Sequence, residues 1–313
     1  MTQSALVTGG AGFIGSHLVD RLVREGWRVR VLDDFSSGRE QNLAASRAHI
    51  ELLKGDLCDD ALAARAVAGV DVVFHEAAVP SVPRSVAEPV RTNRVNVAGT
   101  LGLLEAARQA GVRRFVFAAS SSAYGNTEKL PKAEEMPPTP ESPYALQKLA
   151  GEEYCRLYTK LYGFETVSLR YFNVFGPRQN PESEYAAVVP RFITACLAGR
   201  APTIYGDGEQ TRDFTFVGDV VEANWLAAHS AKAVGSVMNV AGGKRISLNE
   251  LLRAIQSIAG TRLTAKHEPA RAGDVKHSLA SMARAEALLG FRPQTTLLDG
   301  LAVAVESYQG ARS

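Results

Sequence analysis

Short apolar runs alternate with longer amphipathic stretches through the first half of the chain. Ala5–Thr8, Arg28–Leu32, Ile50–Leu53, Val70–Phe74 and Arg114–Ala119 are rich in branched or aromatic residues and read as strands. Between them, Phe13–Arg24 is amphipathic, and Val90–Ala110 has helical apolar spacing that ends at Gly111, a suitable helix stop. Repeated strand–helix units predict a parallel sheet with helices on both faces.

A second long helix is signalled at Ser142-Pro143, where serine is a good N-cap and proline suits the first turn; it runs to Tyr162 before Gly163. Thr166–Phe172 reads as a further strand. Beyond Gly176 the elements shorten: helices near Ala187–Leu197, Leu248–Ala259 and Leu298–Tyr308, and a glycine turn at Gly206-Asp207-Gly208. The expected fold is α/β, a Rossmann-type doubly wound parallel sheet with a smaller α+β substrate-binding domain. Residues 1–175 form the nucleotide-binding part, with 214–232 returning to it as a strand and helix. Residues 176–213 and 233–313 mainly form the smaller domain.

Composition narrows the classes of function. With 313 residues, 46% hydrophobic and 22% charged, the chain has an ordinary globular balance, and a net charge of +2 without a long basic run argues against nucleic acid or a membrane surface as partner. No apolar stretch is long enough to span a bilayer. The first apolar run is short and lacks a basic flank, so no secretory leader and a cytoplasmic location are expected. Cys58, Cys155 and Cys196 are dispersed, and the six histidines form no paired-ligand motif, so reduced thiols and no metal site are expected.

Thr8-Gly9-Gly10-Ala11-Gly12-Phe13-Ile14-Gly15 places glycines between a strand and a helix. Glycine there permits a tight turn and close approach of backbone to a pyrophosphate, and the helix N-terminus offers free N–H groups and a favourable dipole. A glycine motif alone is often only a turn. Here Asp33 ends the next strand at about the ~20-residue separation at which a carboxylate meets the adenosine ribose. Asp33 and the neighbouring Asp34 would repel a 2′-phosphate, which favours NAD over NADP. Asp56-Leu57 either flanks the adenine or, at Asp56, caps the following helix.

Tyr144 and Lys148 are four residues apart on the predicted helix and share a face. A tyrosine phenol ordinarily ionises near pH ~10; an adjacent ammonium stabilises the phenolate and makes it usable as a base. The pair alone is weak, because this spacing is common on solvated helices. Ser120-Ser121-Ser122 adds weight, following a predicted strand at the end where parallel α/β sheets bind ligands.

Together these motifs resemble the extended short-chain dehydrogenase/reductase family, over nearly the whole chain, and within it the UDP-hexose 4-epimerases. Ser120-Ser121-Ser122-Ala123-Tyr124-Gly125 is similar to the catalytic serine segment of that group. Dehydratases of the family carry Asp-Glu at the places of Ser121 and Ser122, and sugar-acid decarboxylases keep a Glu at that of Ser122. Arg170–Gln179, with Asn173, resembles the segment that contacts the sugar nucleotide; Gly206–Phe214, with Arg212, resembles the diphosphate-binding stretch; and Arg271-Ala272-Gly273-Asp274 matches the Arg and Asp that hold the diphosphate and uridine ribose. Asn173 can be read instead as a strand end, and Arg212 and Arg271 as surface ion pairs. Two departures stand out: Glu76 replaces an apolar or aromatic residue after the fourth strand, and Gln147 replaces a frequent serine.

The resemblance implies NAD as cofactor, held by Gly9, Gly12, Phe13, Ile14, Gly15, Asp33, Asp34, Ser37, Gly38, Asp56, Leu57, Ala77, Ala78, Asn96, Tyr144 and Lys148. It implies a UDP-sugar substrate held by Ser120, Ser121, Ser122, Asn173, Val189, Tyr205, Arg212, Arg271, Asp274 and Ser278. Tyr144 would act as base on the C4 hydroxyl, Ser120 as its hydrogen-bonding partner, and Lys148 as the group that orients the cofactor and tunes Tyr144. Ser278 stands where the family places a side chain beside the sugar's C2 substituent; a small residue leaves room for an N-acetyl group, unless Ser278 is merely a surface loop residue. The expected activity is therefore epimerisation of UDP-N-acetylglucosamine and UDP-N-acetylgalactosamine, with some on UDP-glucose and UDP-galactose. Alternatives are a UDP-glucose or UDP-glucuronate 4-epimerase, an oxidoreductase that releases its reduced cofactor, and a non-catalytic NAD-binding regulator. A homodimer through Val90–Ala110 and Ser142–Tyr162 is likewise implied by the resemblance.

Overall fold

Strand β1 (Ser4–Thr8) is buried along its whole length, the burial of a strand covered by helices on both sides. It turns through glycines into α1 (Phe13–Arg24), whose Leu18, Val19 and Leu22 face the sheet and whose Arg21 and Arg24 lie favourably at the negative end of the helix dipole. The alternation continues with β2 (Arg28–Asp33), β3 (Ile50–Lys54), α2 (Asp60–Val67), β4 (Val72–His75), the short helices α3 (Val82–Ala87) and α4 (Pro89–Asn93), α5 (Thr100–Gln109) and β5 (Arg114–Ser120). Next come α6 (Pro143–Tyr162), β6 (Glu165–Tyr171), β7 (Val174–Phe175), α7 (Val188–Leu197), β8 (Thr203–Tyr205), β9 (Thr211–Asp213), β10 (Thr215–Phe216) and α8 (Val217–His229). The last elements are β11 (Ser236–Val240), β12 (Arg245–Ser247), α9 (Leu248–Ala259), β13 (Lys266–Glu268), α10 (Ala283–Leu289) and α11 (Leu297–Gly310). The computed structural model describes residues 2–181, 187–269 and 276–310.

Among the described residues the main sheet has the order β11-β6-β5-β4-β1-β2-β3, with every pairing parallel. The order reverses beside β1, so the β1 and β4 carboxyl ends open a crevice at the switch point of a Rossmann-type fold. The caps predicted for α6 are present: Ser142 Oγ accepts the Ala145 N–H at 3.1 Å, Pro143 begins the helix, and Gly163 ends it at φ 65°.

Three features differ from the sequence expectation. The stretch Val90–Ala110 is interrupted by a π-helical turn at Arg94–Gly99, where the Thr100 hydroxyl donates to the Asn96 carbonyl at 2.8 Å. The return to the main sheet extends beyond 214–232: β11 pairs with β6, and α10 contributes Ala285 and Leu289 to the same core. Strand β11 escapes a reading of the sequence because Ser236 and Asn239 interrupt its apolar run. Finally, the fourth strand begins at Val72 rather than Val70.

The smaller region packs α7, α9 and α11 around Phe192, Ile193, Leu251, Leu252, Ile255, Leu301 and Val305, with the β9–β12 and β8–β13 pairs at its margin. Helix α9 starts with a reciprocal cap between Ser247 and Glu250. Helix α8 lies on the main sheet instead, where Ala223 and Ala227 share a core with α1. No helix among the described residues is long and apolar enough to cross a membrane.

Candidate active site

A cavity of about 1020 Å³ runs from the glycine turn across the carboxyl ends of the sheet to the smaller region. At one end, Gly15 has no room for a side chain: a Cβ there would lie 2.2 Å from the Gly9 carbonyl oxygen. Gly9 has φ 66°, and a Cβ on it would meet Ala77 at 2.8 Å, so the turn is pressed against the end of β4. Gly12, the N-cap of α1, supplies no side-chain cap, and no acidic residue occupies the first turn. The first N–H groups of α1 therefore face the cavity beside Gly12, Phe13, Ile14 and Gly15.

Asp33 closes this end. One carboxyl oxygen accepts the Ala11 N–H and the other the Phe35 N–H, both at 2.8 Å, which fixes the carboxylate and leaves lone pairs for ribose hydroxyls. Burial raises its pKa, against the lowering by those two N–H bonds. A Cβ on Gly38 would lie 2.9 Å from Asp33, so glycine is needed there for packing around the carboxylate. Asp34 accepts the Ser36 N–H and hydroxyl, and with Ser37, Asp56 and Leu57 it lines the cavity. Asp56 does not cap α2. Asp59 does, taking the Leu62 N–H at 3.1 Å, while Asp56 accepts the Cys58 N–H and pairs with Arg94 at 3.0 Å. A cradle without side chains, an uncapped helix start and a fixed carboxylate at the end of β2 fit NAD.

The reactive groups meet at the ends of β5 and α6. Ser122 donates both its N–H, at 3.2 Å, and its hydroxyl, at 2.8 Å, to Ser120 Oγ. With two bonds accepted, Ser120 keeps its own proton to donate, and Tyr144 is within its hydrogen-bond reach. Burial raises the Tyr144 pKa, the Ser120 bond lowers it, and the Glu76 charge raises it. Lys148 donates to the Ala118 carbonyl at 2.7 Å beneath this group, and burial lowers its pKa to about 8. The start of α6 is held by Ser85, whose Oγ accepts the Tyr144 N–H at 3.0 Å. No local motif marks Ser85, which is 59 residues away from Tyr144 in the chain.

At the substrate end, Asn173 has φ 33° and its amide donates to the Asp213 carbonyl at 2.8 Å and towards Ser278 Oγ at 3.3 Å. Ser278 is buried, not a surface residue, and lines the cavity with Ser121, Asn173 and Arg212. Arg212 donates to the Lys276 carbonyl at 3.2 Å, which keeps its guanidinium at the wall. Arg84 and Lys132 also line the cavity and add positive charge suited to a diphosphate.

The other expected positions divide between the cavity wall and places behind it. Val189 is in the core of the smaller region, and Tyr205 stacks beneath Arg191; neither forms the cavity wall. Asn96 is buried and holds the segment after β4, accepting the Val79 N–H at 2.8 Å and donating to Gln147 at 2.9 Å. Gln147 in turn donates to Thr92, which accounts for a glutamine at that place. Ala77 and Ala78 line the cavity. Arg271 and Asp274 lie outside the described residues.

The model of the NAD dependent epimerase/dehydratase family matches residues 5–241. A UDP-glucose 4-epimerase of Mycolicibacterium smegmatis is 44% identical over 308 residues, covering 97% of this chain and 98% of its own. A UDP-N-acetylglucosamine 4-epimerase from Methanobrevibacter ruminantium M1, solved in complex with UDP-N-acetylmuramic acid, is 40% identical with a TM-score of 0.95, covering 99% of this chain and 100% of its own. The UDP-glucose 4-epimerase of Thermus thermophilus, solved with NAD, is 38% identical with a TM-score of 0.90 over 99% of this chain and 100% of its own.

Proposed function

The chain belongs to the NAD-dependent epimerase/dehydratase family and is an NAD-dependent UDP-sugar 4-epimerase, and we propose that it interconverts UDP-N-acetylglucosamine and UDP-N-acetylgalactosamine, with UDP-glucose and UDP-galactose as further substrates. The observation that carries the substrate reading is Ser278: a small side chain at the cavity wall, next to Asn173, where bulk would exclude an N-acetyl group. The Methanobrevibacter neighbour, solved with an N-acetylated UDP-sugar, supports it. A preference for UDP-glucose is the second reading, favoured by the Mycolicibacterium relative.

In the proposed reaction Tyr144 accepts the C4 hydroxyl proton while Ser120, its own acceptor sites filled by Ser122, donates to the same oxygen. Lys148, held at the Ala118 carbonyl, is assigned two tasks by this reading, stabilising the phenolate by its charge and orienting the nicotinamide ribose. NAD, when bound, would supply the hydride acceptor and donor for C4. Arg212, joined by Arg271, anchors the diphosphate while the 4-keto sugar turns its other face to Tyr144. Ser121 and Ser122 offer no carboxylate for elimination or decarboxylation, which leaves inversion as the outcome.

The same reading includes a homodimer through Val90–Ala110 and Ser142–Tyr162, and the exposed Val86 of α3 extends that face. Val86, Val90 and Leu146, exposed at 64%, 82% and 57%, support it, because apolar side chains this open gain from being covered.

The test is incubation of the purified protein with UDP-glucose, UDP-N-acetylglucosamine and UDP-glucuronate, with the C4 epimers resolved. Conversion of the N-acetylated pair at the highest kcat/KM is expected. Conversion of UDP-glucose alone would overturn the substrate reading, and steady NADH release without epimers would overturn epimerisation.

A further inference from the structure

Glu76 is a carboxyl at the end of β4 that the reaction described above leaves without a task. It lines the cavity between the glycine turn and Tyr144. Its backbone donates to the Thr8 carbonyl at 3.2 Å, which ties it to the strand that carries the glycines. Its side chain is held from behind: the Tyr171 hydroxyl donates to Oε1 at 2.8 Å. That direction is fixed, because the Asn224 amide donates to the same hydroxyl at 2.7 Å, leaving the phenol proton for the carboxylate. Asn224 is in turn held by the Val220 carbonyl at 2.9 Å. Tyr171 thus engages one carboxyl oxygen of a residue that lines the cavity, and the other oxygen is not used by this bond.

This position lies on the path of the cofactor. Its phosphates belong at the start of α1 and its reacting ring beside Tyr144 and Ser120, so the ring must pass the end of β4. The oxidised nicotinamide is a cation. When the sugar alcohol is oxidised, its C4 hydrogen leaves as hydride to the nicotinamide and its hydroxyl proton goes to Tyr144; the ring becomes neutral. A fixed negative charge beside the ring distinguishes the two forms, and it does so strongly where water is excluded.

We propose that Glu76 is a charge-setting residue that favours the oxidised form of the resident nicotinamide, so that the enzyme returns to its hydride-accepting state after each turnover. An enzyme that must give back every hydride it takes is stalled by a cofactor left reduced, and Glu76 opposes that state. The Tyr171–Asn224 pair positions the carboxylate and biases it towards ionisation by donating to it. Burial works the other way and raises the carboxyl pKa, against the lowering by the Tyr171 bond and the Lys148 charge, and the cationic ring adds to that lowering. The same charge raises the Tyr144 pKa, a cost to the base that the bound cation offsets.

The inference rests on the NAD site described above and is tested on the NAD-loaded protein. The midpoint potential of the bound couple is measured in mediator solution from the near-ultraviolet absorbance of NADH. Glu76→Gln keeps an acceptor for Tyr171 and removes the charge; it is expected to raise the bound NADH-to-NAD⁺ ratio about tenfold, equivalent to an upward shift of about 30 mV for two electrons. Tyr171→Phe, which keeps the carboxylate, is expected to give a smaller shift. An unchanged potential in Glu76→Gln would overturn the proposal, and so would equal shifts in both variants, which would assign the effect to packing. If the wild type retains NAD and epimerises while the potential is unmoved, only this inference fails; if the wild type retains no NAD, the site reading fails first.

Discussion

The Asn173 amide lies 3.3 Å from Ser278 Oγ, joining the end of the sixth strand to a segment 105 residues later. Ser278 Oγ also accepts the Asp213 N–H at 3.3 Å, so this small hydroxyl is a fixed part of the wall and not a loop ornament. Ser278→Tyr is expected to fill the space with a ring and lower kcat/KM on the N-acetylated pair by about tenfold or more relative to UDP-glucose, in line with overpacking penalties of ~1–3 kcal/mol. Paired kinetics on both substrates check it. Equal losses on both would show that the ring damages the wall instead of selecting at C2.

Tyr144→Phe removes the base while leaving the ring that fills its place on α6. Turnover is expected to fall below detection, with NAD content and thermal stability close to wild type. Ser120→Ala leaves the Ser122 N–H and hydroxyl without their shared acceptor and is expected to lower kcat by about a hundredfold, the scale of one lost transition-state hydrogen bond. Retained turnover in Tyr144→Phe would remove Tyr144 from the chemistry.

The turn at the cofactor end makes a steric prediction. A methyl on Gly15 would come within 2.2 Å of the Gly9 carbonyl and 2.9 Å of the Gly10 Cα, both backbone atoms that cannot swing aside. Gly15→Ala is expected to destabilise the fold by ~1–3 kcal/mol and to lose most bound NAD. Thermal melts together with NAD released on denaturation measure both. Full NAD content in the variant would show that the turn yields without opening the pyrophosphate cradle.

What the chain disclosed depended on how local each feature is. The glycine turn, the Asp33 carboxylate at the strand end and the Ser142 cap are short-range patterns with their own geometry, and each was legible, as was the helix that carries Tyr144 and Lys148. Features made by distant partners were not. Nothing near Asn96 indicates Gln147, and nothing near Glu76 indicates Tyr171, 95 residues on, or the Asn224 amide behind it. Asp56 and Asp59 are alike in type, and only the backbone decides that Asp59 takes the Leu62 N–H. Val189 has the same apolar character in a core as on a cavity wall, and the fold put it in the core.

Val90 tests the homodimer. At 82% exposed it contributes little to the monomer, so Val90→Glu is expected to leave the melting temperature of an isolated chain almost unchanged and to shift the sedimentation of the native protein from dimer to monomer. A wild-type monomer, or a variant that stays dimeric, would place any interface elsewhere.

The last prediction concerns acid stability. His75 is fully buried, with Nδ1 2.7 Å from Thr8 Oγ1 and Nε2 2.8 Å from Thr100 Oγ1, and burial together with the Lys148 charge lowers its pKa from 6.5 to about 3. The unfolded chain therefore binds a proton at this residue below about pH 6.5, whereas the folded chain declines it until about pH 3. Between these values the unfolded state holds more protons, and stability must fall as the pH falls. His75→Asn removes that proton uptake, so its melting temperature is expected to decline less steeply than that of the wild type between pH 7 and pH 4, even if it starts lower. Parallel slopes would mean that His75 is protonated in the fold, with both threonines acting as acceptors.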